Sequence, residues 1–417
     1  MIAEKVESLA FGGDGIVRHD QLVIFVPFTA PGDEITLEIM HKKKNFARGR
    51  LLSINTLSPL RIAPLCPYYG TCGGCQLQHL KASAQLSAKR TFILDALRRI
   101  GKITLPDLLV IPSSKPFAYR RHIRLKLQAG KLGFIGADST TFVPVQHCPL
   151  FLPLEHPLFE TLNPLIETLS EAGAKEGTLR LIKTFSGKFI LAFTLLDELL
   201  IPTEKIQEHY EKNPSWQGIA IASQTWGKPH CEIEMLGIRA QFSPFGFVQN
   251  HPEQNENLYR TVLDIIPPEC KRILDLYCGI GLTSILLSKL GKDVVGIESH
   301  KHTVELAKEN GKSYPSVTFY EGLVEDLGVH LLKEKTFDTV LCNPPRTGLD
   351  STVIQALLDA QPPCILYISC MPSTLARDLA QLTAHYEIEF IQGFDLFPQT
   401  THIETLVKLL KKRFHQS

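Results

Sequence analysis

Apolar and polar residues alternate with different periods in successive parts of this chain, and the changes predict its organisation. Ile35–Ile39 alternates with a period of two, as a half-buried strand does, and Leu22–Pro27 is a short β-rich run. Turn sequences rich in glycine, proline and aspartate, at 12–15 and 31–33, lie beside these runs. Several short strands in so little chain predict a small barrel of the OB type over residues 1–54.

Two stretches inside this predicted barrel carry a resemblance to a known module. They are Gly-Asp-Gly-Ile-Val-Arg at 13–18 and Val-Pro-Phe-Thr-Ala-Pro-Gly-Asp at 26–33. The segment resembles a TRAM domain, which is an RNA-binding module found on RNA-modifying enzymes. An unrelated small β-barrel is the alternative.

The pattern changes between residues 55 and 240, where one long helical segment precedes strand-like runs. A helix is predicted from Ala82 to Ile100, with Gly101 as its stop signal. Strands are predicted at 121–127, 179–183 and 189–193. These elements predict a central α+β domain.

From residue 241 to residue 417, strand patterns alternate with helical patterns. The predicted strands cover 272–277, 294–298, 338–343 and 364–369, and the predicted helices cover 282–290 and 302–308. This order predicts a doubly wound, mostly parallel sheet of the Rossmann type. The expected fold class is therefore α/β, with a small N-terminal barrel and a central α+β domain.

Composition places limits on this organisation without changing it. The chain has 417 residues, of which 44% are hydrophobic, and this is enough for two or three domains with separate cores. No run of 18 apolar residues is present, and Met1–Glu7 lacks the basic and apolar segments of a signal peptide. We therefore expect a cytoplasmic protein that does not bind a membrane, with ten mostly reduced cysteines.

Charge is unevenly distributed along the chain, although the net charge is only +1. Residues 81–131 contain twelve Lys or Arg and two Asp, and a smaller basic group lies at 42–50. Aromatic residues accompany both stretches, namely Phe46, Phe117 and Tyr119. Together these features favour a nucleic-acid partner, whereas the charge alone would also fit a solvated helix face.

The segment Asp275-Leu-Tyr-Cys-Gly-Ile-Gly281 ends the first predicted strand of the Rossmann-type sheet, where such sheets bind ligands. Gly279 and Gly281 allow the backbone to pass close to a ligand, and Glu298 can accept hydrogen bonds from both hydroxyls of a ribose. The dinucleotide pattern is incomplete, because Ser284 stands in place of its third glycine. This shorter loop suits S-adenosylmethionine, which has no pyrophosphate. A sheet that binds another nucleotide, or no ligand, is the alternative.

Cys370 and Glu404 are candidates for covalent catalysis. Cys370 follows a predicted strand, in Ile-Ser-Cys-Met-Pro, and Glu404 ends the motif His402-Ile-Glu404. A thiolate that adds to carbon-6 of a pyrimidine makes carbon-5 nucleophilic enough to accept a methyl group, and a carboxylate can then remove the carbon-5 proton. A buried structural cysteine and a solvated glutamate are the alternatives.

Four other cysteines have a spacing typical of metal sites. Cys66, Cys72 and Cys75 lie in one glycine-rich turn, and Cys148 follows within His-Cys-Pro. Four thiolates suit either a four-iron, four-sulfur cluster or a tetrahedral zinc ion, and the spacing leaves both open. Because the methyl transfer described above has no redox step, we expect a structural role. Four unconnected thiols are the remaining alternative.

Five motifs together resemble the 5-methyluridine RNA methyltransferase family, over essentially the whole chain. They are Phe247-Val-Gln249, the 275–281 segment, Pro-Pro-Arg-Thr-Gly at 344–348, Ser369-Cys370, and Asp-Leu-Phe-Pro-Gln-Thr-Thr-His-Ile-Glu at 395–404. The resemblance implies a class I S-adenosylmethionine-dependent fold, with Cys370 as the nucleophile and Glu404 as the base. It also implies that four residues line the cofactor or the target base, namely Gln249, Tyr277, Glu298 and Asn343. The family usually has Asp at 343, so Asn343 is a departure.

The resemblance also implies a substrate. The ribosomal-RNA branch of this family carries an iron–sulfur cluster at such cysteines, and the transfer-RNA branch lacks both the cluster and the TRAM domain. We therefore expect methylation of carbon-5 of uridine in 23S ribosomal RNA, a 4Fe-4S cluster, and no obligate protein partner. The same chemistry on transfer RNA and a non-catalytic RNA-binding protein are the alternatives.

Overall fold

Residues 1–413 are described by a computed structural model, and the first six strands form the small N-terminal barrel. The strands are β1 (Ile2–Lys5), β2 (Ser8–Leu9), β3 (Gly15–His19), β4 (Leu22–Val26), β5 (Glu34–Lys42) and β6 (Phe46–Thr56). They pair in the order β1-β5-β6-β4-β3-β2, and only β4 and β6 are parallel. Val17, Ile24 and Leu37 are fully buried, because successive side chains of a strand face opposite sides.

A seven-stranded sheet with two helices forms the middle of the chain. Before it come helix α1 (Ala82–Ala96), a π-helical turn (Leu97–Gly101) and the short strand β7 (Leu109–Ile111). Its own elements are β8 (His122–Gln128), β9 (Lys131–Ile135), β10 (Phe142–Pro144), α2 (Leu158–Glu171), β11 (Glu176–Lys183), β12 (Phe189–Leu195), α3 (Thr203–Lys212), β13 (Trp216–Ile221) and β14 (Gln224–Gly227). The strand order is β10-β9-β8-β11-β12-β13-β14. The predicted helix and strands are confirmed here, although the left-handed residue that ends the helix is Lys102 (φ +55°) and not Gly101.

The C-terminal part has the predicted alternation of strands and helices. After the hairpin β15 (Cys231–Met235) and β16 (Ile238–Phe242), its elements are α4 (Pro252–Ile265), β17 (Arg272–Leu276), α5 (Leu282–Ser288), β18 (Asp293–Glu298), α6 (Lys301–Gly311), β19 (Val317–Glu321), a π-helical turn (Val324–Gly328), α7 (Val329–Glu334), β20 (Thr339–Cys342), α8 (Ser351–Ala360), β21 (Cys364–Ser369), α9 (Pro372–Leu382), β22 (Tyr386–Phe394) and β23 (Glu404–Lys411). The sheet order is β19-β18-β17-β20-β21-β23-β22-β7. All six residues of β21 are buried, as expected for a central strand covered on both faces.

Strand β7 belongs to this C-terminal sheet, although it lies far earlier in the sequence. Leu109, Val110 and Ile111 pair in parallel with the end of β22. Ile93 and Leu97, in and just after α1, share a hydrophobic core with the central strands of the same sheet. Residues 82–111 therefore pack with the C-terminal sheet, so the predicted boundary at 240 does not separate this part of the central segment from that sheet.

Within residues 1–413, no helix combines the length and the apolar character that crossing a membrane requires.

Candidate active site

The predicted catalytic and cofactor residues meet at one edge of the C-terminal sheet. Parallel strands β17, β18, β20 and β21 end at the same edge, where open α/β sheets bind ligands. The 275–281 segment, Glu298, Asn343 and Cys370 lie at or directly after these strand ends. Strand β23 runs antiparallel to β21 and begins at Glu404, so this residue reaches the same edge.

Strand register places Cys370 and Glu404 next to each other. Ser369, the last residue of β21, pairs with Thr405 of β23 in an antiparallel ladder. The next position along this ladder joins Cys370 to Glu404, although Cys370 has already left the strand. Cys370 is half-buried and Glu404 is only 2% exposed, so the carboxylate faces the thiol away from bulk water.

Burial and one arginine set the protonation of this pair. Burial, followed by the negative charge of Glu404, raises the pKa of the Cys370 thiol to about 11. Burial also raises the pKa of Glu404 to about 8. The Arg346 guanidinium opposes both shifts, and it reaches the thiol through its charge and a hydrogen bond. Arg346 therefore favours the thiolate that the chemistry requires.

His402 completes this group beside Arg346. The Arg346 Nη2 atom donates to His402 Nε2 across 3.3 Å. Burial, followed by the charges of Arg346, Lys89 and Arg120, lowers the pKa of His402 to about 4, so its imidazole is neutral and can accept that bond. Among residues 1–413, His402 Nδ1 and Glu404 Oε2 have no hydrogen-bond partner although both are buried. Such unpaired atoms are rare in protein interiors, and here they are available to a substrate.

The cofactor side of the edge has the features expected for a nucleoside. The Gly279 amide and the His300 amide donate to the two oxygens of Glu298, at 3.2 and 2.9 Å. Gly279 (φ +56°) has open space where a side chain would stand, so a ligand can approach its backbone. Tyr277 adopts a left-handed conformation (φ +62°) and donates from its hydroxyl to Glu325 Oε1 at 3.1 Å. This loop fits a bound nucleoside whose ribose meets Glu298.

Three further predicted site residues, Asp275, Asn343 and Gln249, have a less direct relation to the candidate site. Asp275 is buried and accepts a hydrogen bond from the Ser284 hydroxyl at 2.5 Å, so it supports the 275–281 segment from inside the protein. Burial raises its pKa to about 7. Asn343 is half-buried, and its amide donates to Leu276 O at 3.3 Å. Gln249 is half-buried in the segment between β16 and α4.

The four predicted metal-site cysteines line one cavity of about 450 Å³, between the middle sheet and residues 245–250. Burial raises the pKa of all four thiols, and the charge of Cys148 adds to this effect at Cys66, Cys72 and Cys75. The Arg120 guanidinium lies beside them and opposes this effect at Cys72, Cys75 and Cys148. A half-buried cation beside these thiols is suited to a site that carries negative charge.

The basic run at 81–131 is only partly a surface, contrary to the prediction. Lys89 is fully buried, Arg121 is 7% exposed, and Arg120 faces the cysteines. Arg90 and Arg98 form exposed pairs with Asp107 and Asp95. The smaller group at 42–50 is exposed, and Lys43 Nζ lies 5.5 Å from the centre of the Phe46 ring. The sequence shows which residues are charged but not which are buried, so the predicted basic surface included cations that lie inside the protein.

Arg346 is a candidate site residue that sequence reasoning missed, although its motif was noted. It lies in the turn after β20, at the same edge as the residues that were predicted. An arginine in the turn after one strand, in a sheet where a cysteine follows the neighbouring strand, is the signal that points to it.

Sequence profiles support the arrangement described above. A profile for a methyltransferase domain matches residues 273–360, and the profile of the tRNA (Uracil-5-)-methyltransferase family matches residues 324–413. The TRAM-domain profile of tRNA (uracil(54)-C(5))-methyltransferase matches residues 2–60. The protein is thus a methyltransferase with a Rossmann-type catalytic sheet and an N-terminal TRAM domain.

Relatives that match over nearly their full length show which kind of methyltransferase this protein is. An uncharacterized RNA methyltransferase of Protochlamydia amoebophila is 43% identical over 98% of this chain and 97% of its own length. The 23S rRNA (uracil(1939)-C(5))-methyltransferase of Shewanella baltica is 32% identical over 96% of this chain and 94% of its own. The chain belongs to the family of RNA uracil-C5 methyltransferases.

A solved structure has the same architecture throughout. It is that of the Pyrococcus abyssi tRNA (uracil-54, C5)-methyltransferase in complex with S-adenosyl-L-homocysteine. It superposes with a TM-score of 0.78 at 27% identity, over 98% of this chain and 100% of the other. The expectation that transfer-RNA enzymes of the family lack a TRAM domain is wrong, because the matching TRAM profile is that of a tRNA methyltransferase. This domain therefore does not separate the two classes of RNA.

Proposed function

We propose that this protein transfers a methyl group from S-adenosylmethionine to carbon-5 of a uridine in 23S ribosomal RNA. The observation that supports the reaction is the closeness of Cys370 to the buried Glu404, which the register of β21 with β23 and the effect of the Glu404 charge on the thiol indicate. The Shewanella baltica relative, which methylates 23S rRNA, supports the choice of substrate. The Pyrococcus abyssi enzyme makes transfer RNA the second candidate.

In the first half of the reaction, Cys370 activates the base. Its thiolate, stabilised by the Arg346 guanidinium, forms a sulfur–carbon bond at carbon-6 of the uracil. The electron pair of the carbon-5–carbon-6 double bond becomes an enolate, which makes carbon-5 nucleophilic. S-adenosylmethionine, when bound, would supply the electrophilic methyl group that carbon-5 accepts, and the electron pair of the broken sulfur–methyl bond would leave with S-adenosylhomocysteine. Glu298, whose Oε2 accepts a hydrogen bond from the Gly279 amide, would hold its ribose.

In the second half, Glu404 releases the product. Carbon-5 now carries both a methyl group and a proton, and the Glu404 carboxylate removes that proton. The electrons of the broken carbon–hydrogen bond re-form the double bond, and the Cys370 thiolate leaves carbon-6. Glu404 Oε2, which has no partner within the described chain, is the atom best placed to accept the proton.

The pH dependence of adduct release tests the assignment of Glu404. The pKa of Glu404 is raised to about 8, and only its carboxylate can accept the carbon-5 proton, so release should accelerate as pH rises and level off above about 8. In single-turnover experiments, methylated adduct formed at fixed pH is transferred to a series of buffers and its decay is followed. Decay that stays constant from pH 6 to pH 9 would assign the base to another group.

We also propose that the cavity residues hold an iron–sulfur cluster. Four cysteines converge on one space, and Arg120 supplies positive charge beside them. The resemblance to the ribosomal-RNA branch of the family favours the cluster over zinc, and in such a cluster each thiolate binds a different iron atom. In the part of the chain that the structure describes, no three His, Cys, Asp or Glu side chains form a group that could hold a metal ion.

Metal content tests this part of the proposal. Protein purified without oxygen should be brown and contain about four irons per chain, and Cys75→Ala should lose most of them. Cys270→Ala is the matched control, because Cys270 is buried in another core and should leave the iron unchanged. Stoichiometric zinc without iron would rule the cluster out.

The identity of the substrate is tested by methylation in two RNA fractions. Unmodified 23S rRNA should accept labelled methyl groups at one uridine to a stoichiometry near one, whereas unmodified transfer RNA should accept none. Nucleoside mass spectrometry of both fractions from a deletion strain provides the cellular check. Label confined to transfer RNA would select the second candidate, and label in neither would favour a non-catalytic RNA-binding protein.

A further inference from the structure

The loop that leads to Glu404 is held from outside its own sheet. Residues 395–403 connect β22 to β23 and contain His402, so their path determines where His402 and Glu404 lie. At the carboxylate itself, Oε2 has no partner among residues 1–413. The backbone of Glu404 is held on its C-terminal side by the ladders with β21 and β22 and on its N-terminal side by the 395–403 loop, so the contacts of this loop also influence where the carboxylate lies.

Lys89 of α1 makes the first of these contacts, and nothing in the proposed chemistry uses it. Its ammonium group is fully buried and donates to Asp395 Oδ1 at 2.5 Å and to the Phe397 carbonyl at 2.8 Å. A buried ion pair contributes little to stability compared with apolar side chains of similar size, because removing both charges from water is costly. The Lys89–Asp395 pair instead fixes the positions of the groups around it, since a buried ammonium group accepts few alternative arrangements of its partners.

Gln85 and the backbone before it make the second set of contacts. The Gln85 and Gln399 side chains form one 3.0 Å hydrogen bond, and the Gln399 amide donates to Gln85 Oε1 at 3.0 Å. The amides of Gln76 and Leu77 both donate to the Gln399 carbonyl, at 3.1 and 3.0 Å. Gln399 is buried and has a left-handed backbone (φ +72°), which a residue with a side chain keeps only when its surroundings enforce it. Gln399, the residue of the 395–403 loop with the strained backbone, is therefore also held by several hydrogen bonds from outside the loop.

We propose that Lys89 and Gln85 are positioning residues for the catalytic base: they fix the 395–403 loop so that Glu404 faces Cys370. Neither side chain touches the reacting atoms, and both act through Asp395, Phe397 and Gln399. This inference rests on the proposed role of Glu404. Helix α1, which carries both residues, would then contribute to proton removal in addition to packing against the C-terminal sheet.

The test separates the two halves of the reaction. In Lys89→Met the thiol site is intact but the base is misplaced, so methylated adduct should accumulate. A misplacement of about 1 Å should lower turnover about a hundredfold, with the KM for RNA unchanged. Gln85→Leu should give the same result to a smaller extent. Denaturing gels with methyl-labelled cofactor measure the adduct, and Glu404→Gln provides the reference level.

The control is Arg90→Met on the same helix. Arg90 forms an exposed ion pair with Asp107 at 2.9 Å and contacts no residue of the 395–403 loop that the structure records, so adduct level and turnover should match the parent protein. If Lys89→Met does not fold, Lys89→Met/Asp395→Leu replaces the whole pair by apolar side chains and should recover stability. A folded variant of either kind is then compared with Arg90→Met.

Parent-like turnover in folded Lys89→Met would overturn the inference. Lost turnover without adduct, in a variant with parent-like melting and cofactor binding, would overturn it too, because it would show that the thiol half was damaged. If Glu404→Gln also formed no adduct, the base assignment itself would be wrong, and this outcome distinguishes a failure of the proposed function from a failure confined to Lys89.

Discussion

Replacing Glu404 with glutamine should leave the protein covalently attached to its RNA. Glutamine has nearly the same shape but cannot accept the carbon-5 proton, so Cys370 adds, the methyl group is transferred, and release stops. Turnover should fall by at least about a hundredfold, the loss expected when a general base is removed. The product to look for is a protein–RNA species that survives denaturation and carries the methyl label.

Two controls make this result specific. Without S-adenosylmethionine, no labelled adduct should form in Glu404→Gln. Glu387→Gln changes an exposed glutamate on the neighbouring strand β22 and should behave like the parent protein. Multiple turnovers without adduct in Glu404→Gln would show that another group removes the proton.

Replacing Cys370 with alanine should abolish both turnover and adduct. Without the sulfur of Cys370, carbon-5 of uracil is not nucleophilic enough to accept the methyl group. Cofactor binding should remain, because Glu298 and Gly279 are untouched. The measurements are methyl incorporation, denaturing gels and calorimetric binding of S-adenosyl-L-homocysteine.

Cys364→Ala is the matched control for this variant. Cys364 begins the same strand that Cys370 follows, but it is buried at the opposite end, so its loss should cost stability of about 1 kcal/mol and little activity. Residual methylation in Cys370→Ala, well above that of a protein-free reaction, would exclude the thiol as the nucleophile.

The C-terminal sheet and its ligand-binding edge were predictable because local patterns determine them. A short stretch of sequence is enough to predict the strand that ends at Leu276 and the glycine-containing loop after it. The adjacency of Cys370 and Glu404 has a different origin. It requires the register of β21 with β23, which joins segments that no local pattern connects.

Burial explains most of what the sequence did not reveal. Lys89 looked like one of many surface cations, yet it lies in the protein interior beside Asp395. Arg346 stood inside a noted motif without a role, because its effect depends on the thiol and carboxylate that folding brings beside it. Charge and residue type are local properties, whereas solvent access is a property of the assembled fold.

The pairing of β7 with β22 has a consequence for synthesis on the ribosome. Leu109 emerges long before Gln392, its partner, so the last edge of the catalytic sheet closes only when nearly the whole polypeptide has been made. Contacts that are this distant in sequence close slowly, because a long loop must be ordered first. Until then, the apolar side of α1 near Ile93 has no partner in the sheet and is exposed to aggregation or to a chaperone. The catalytic region should therefore not fold when it is expressed from residue 241 onwards, since strand β7 and helix α1 would be missing.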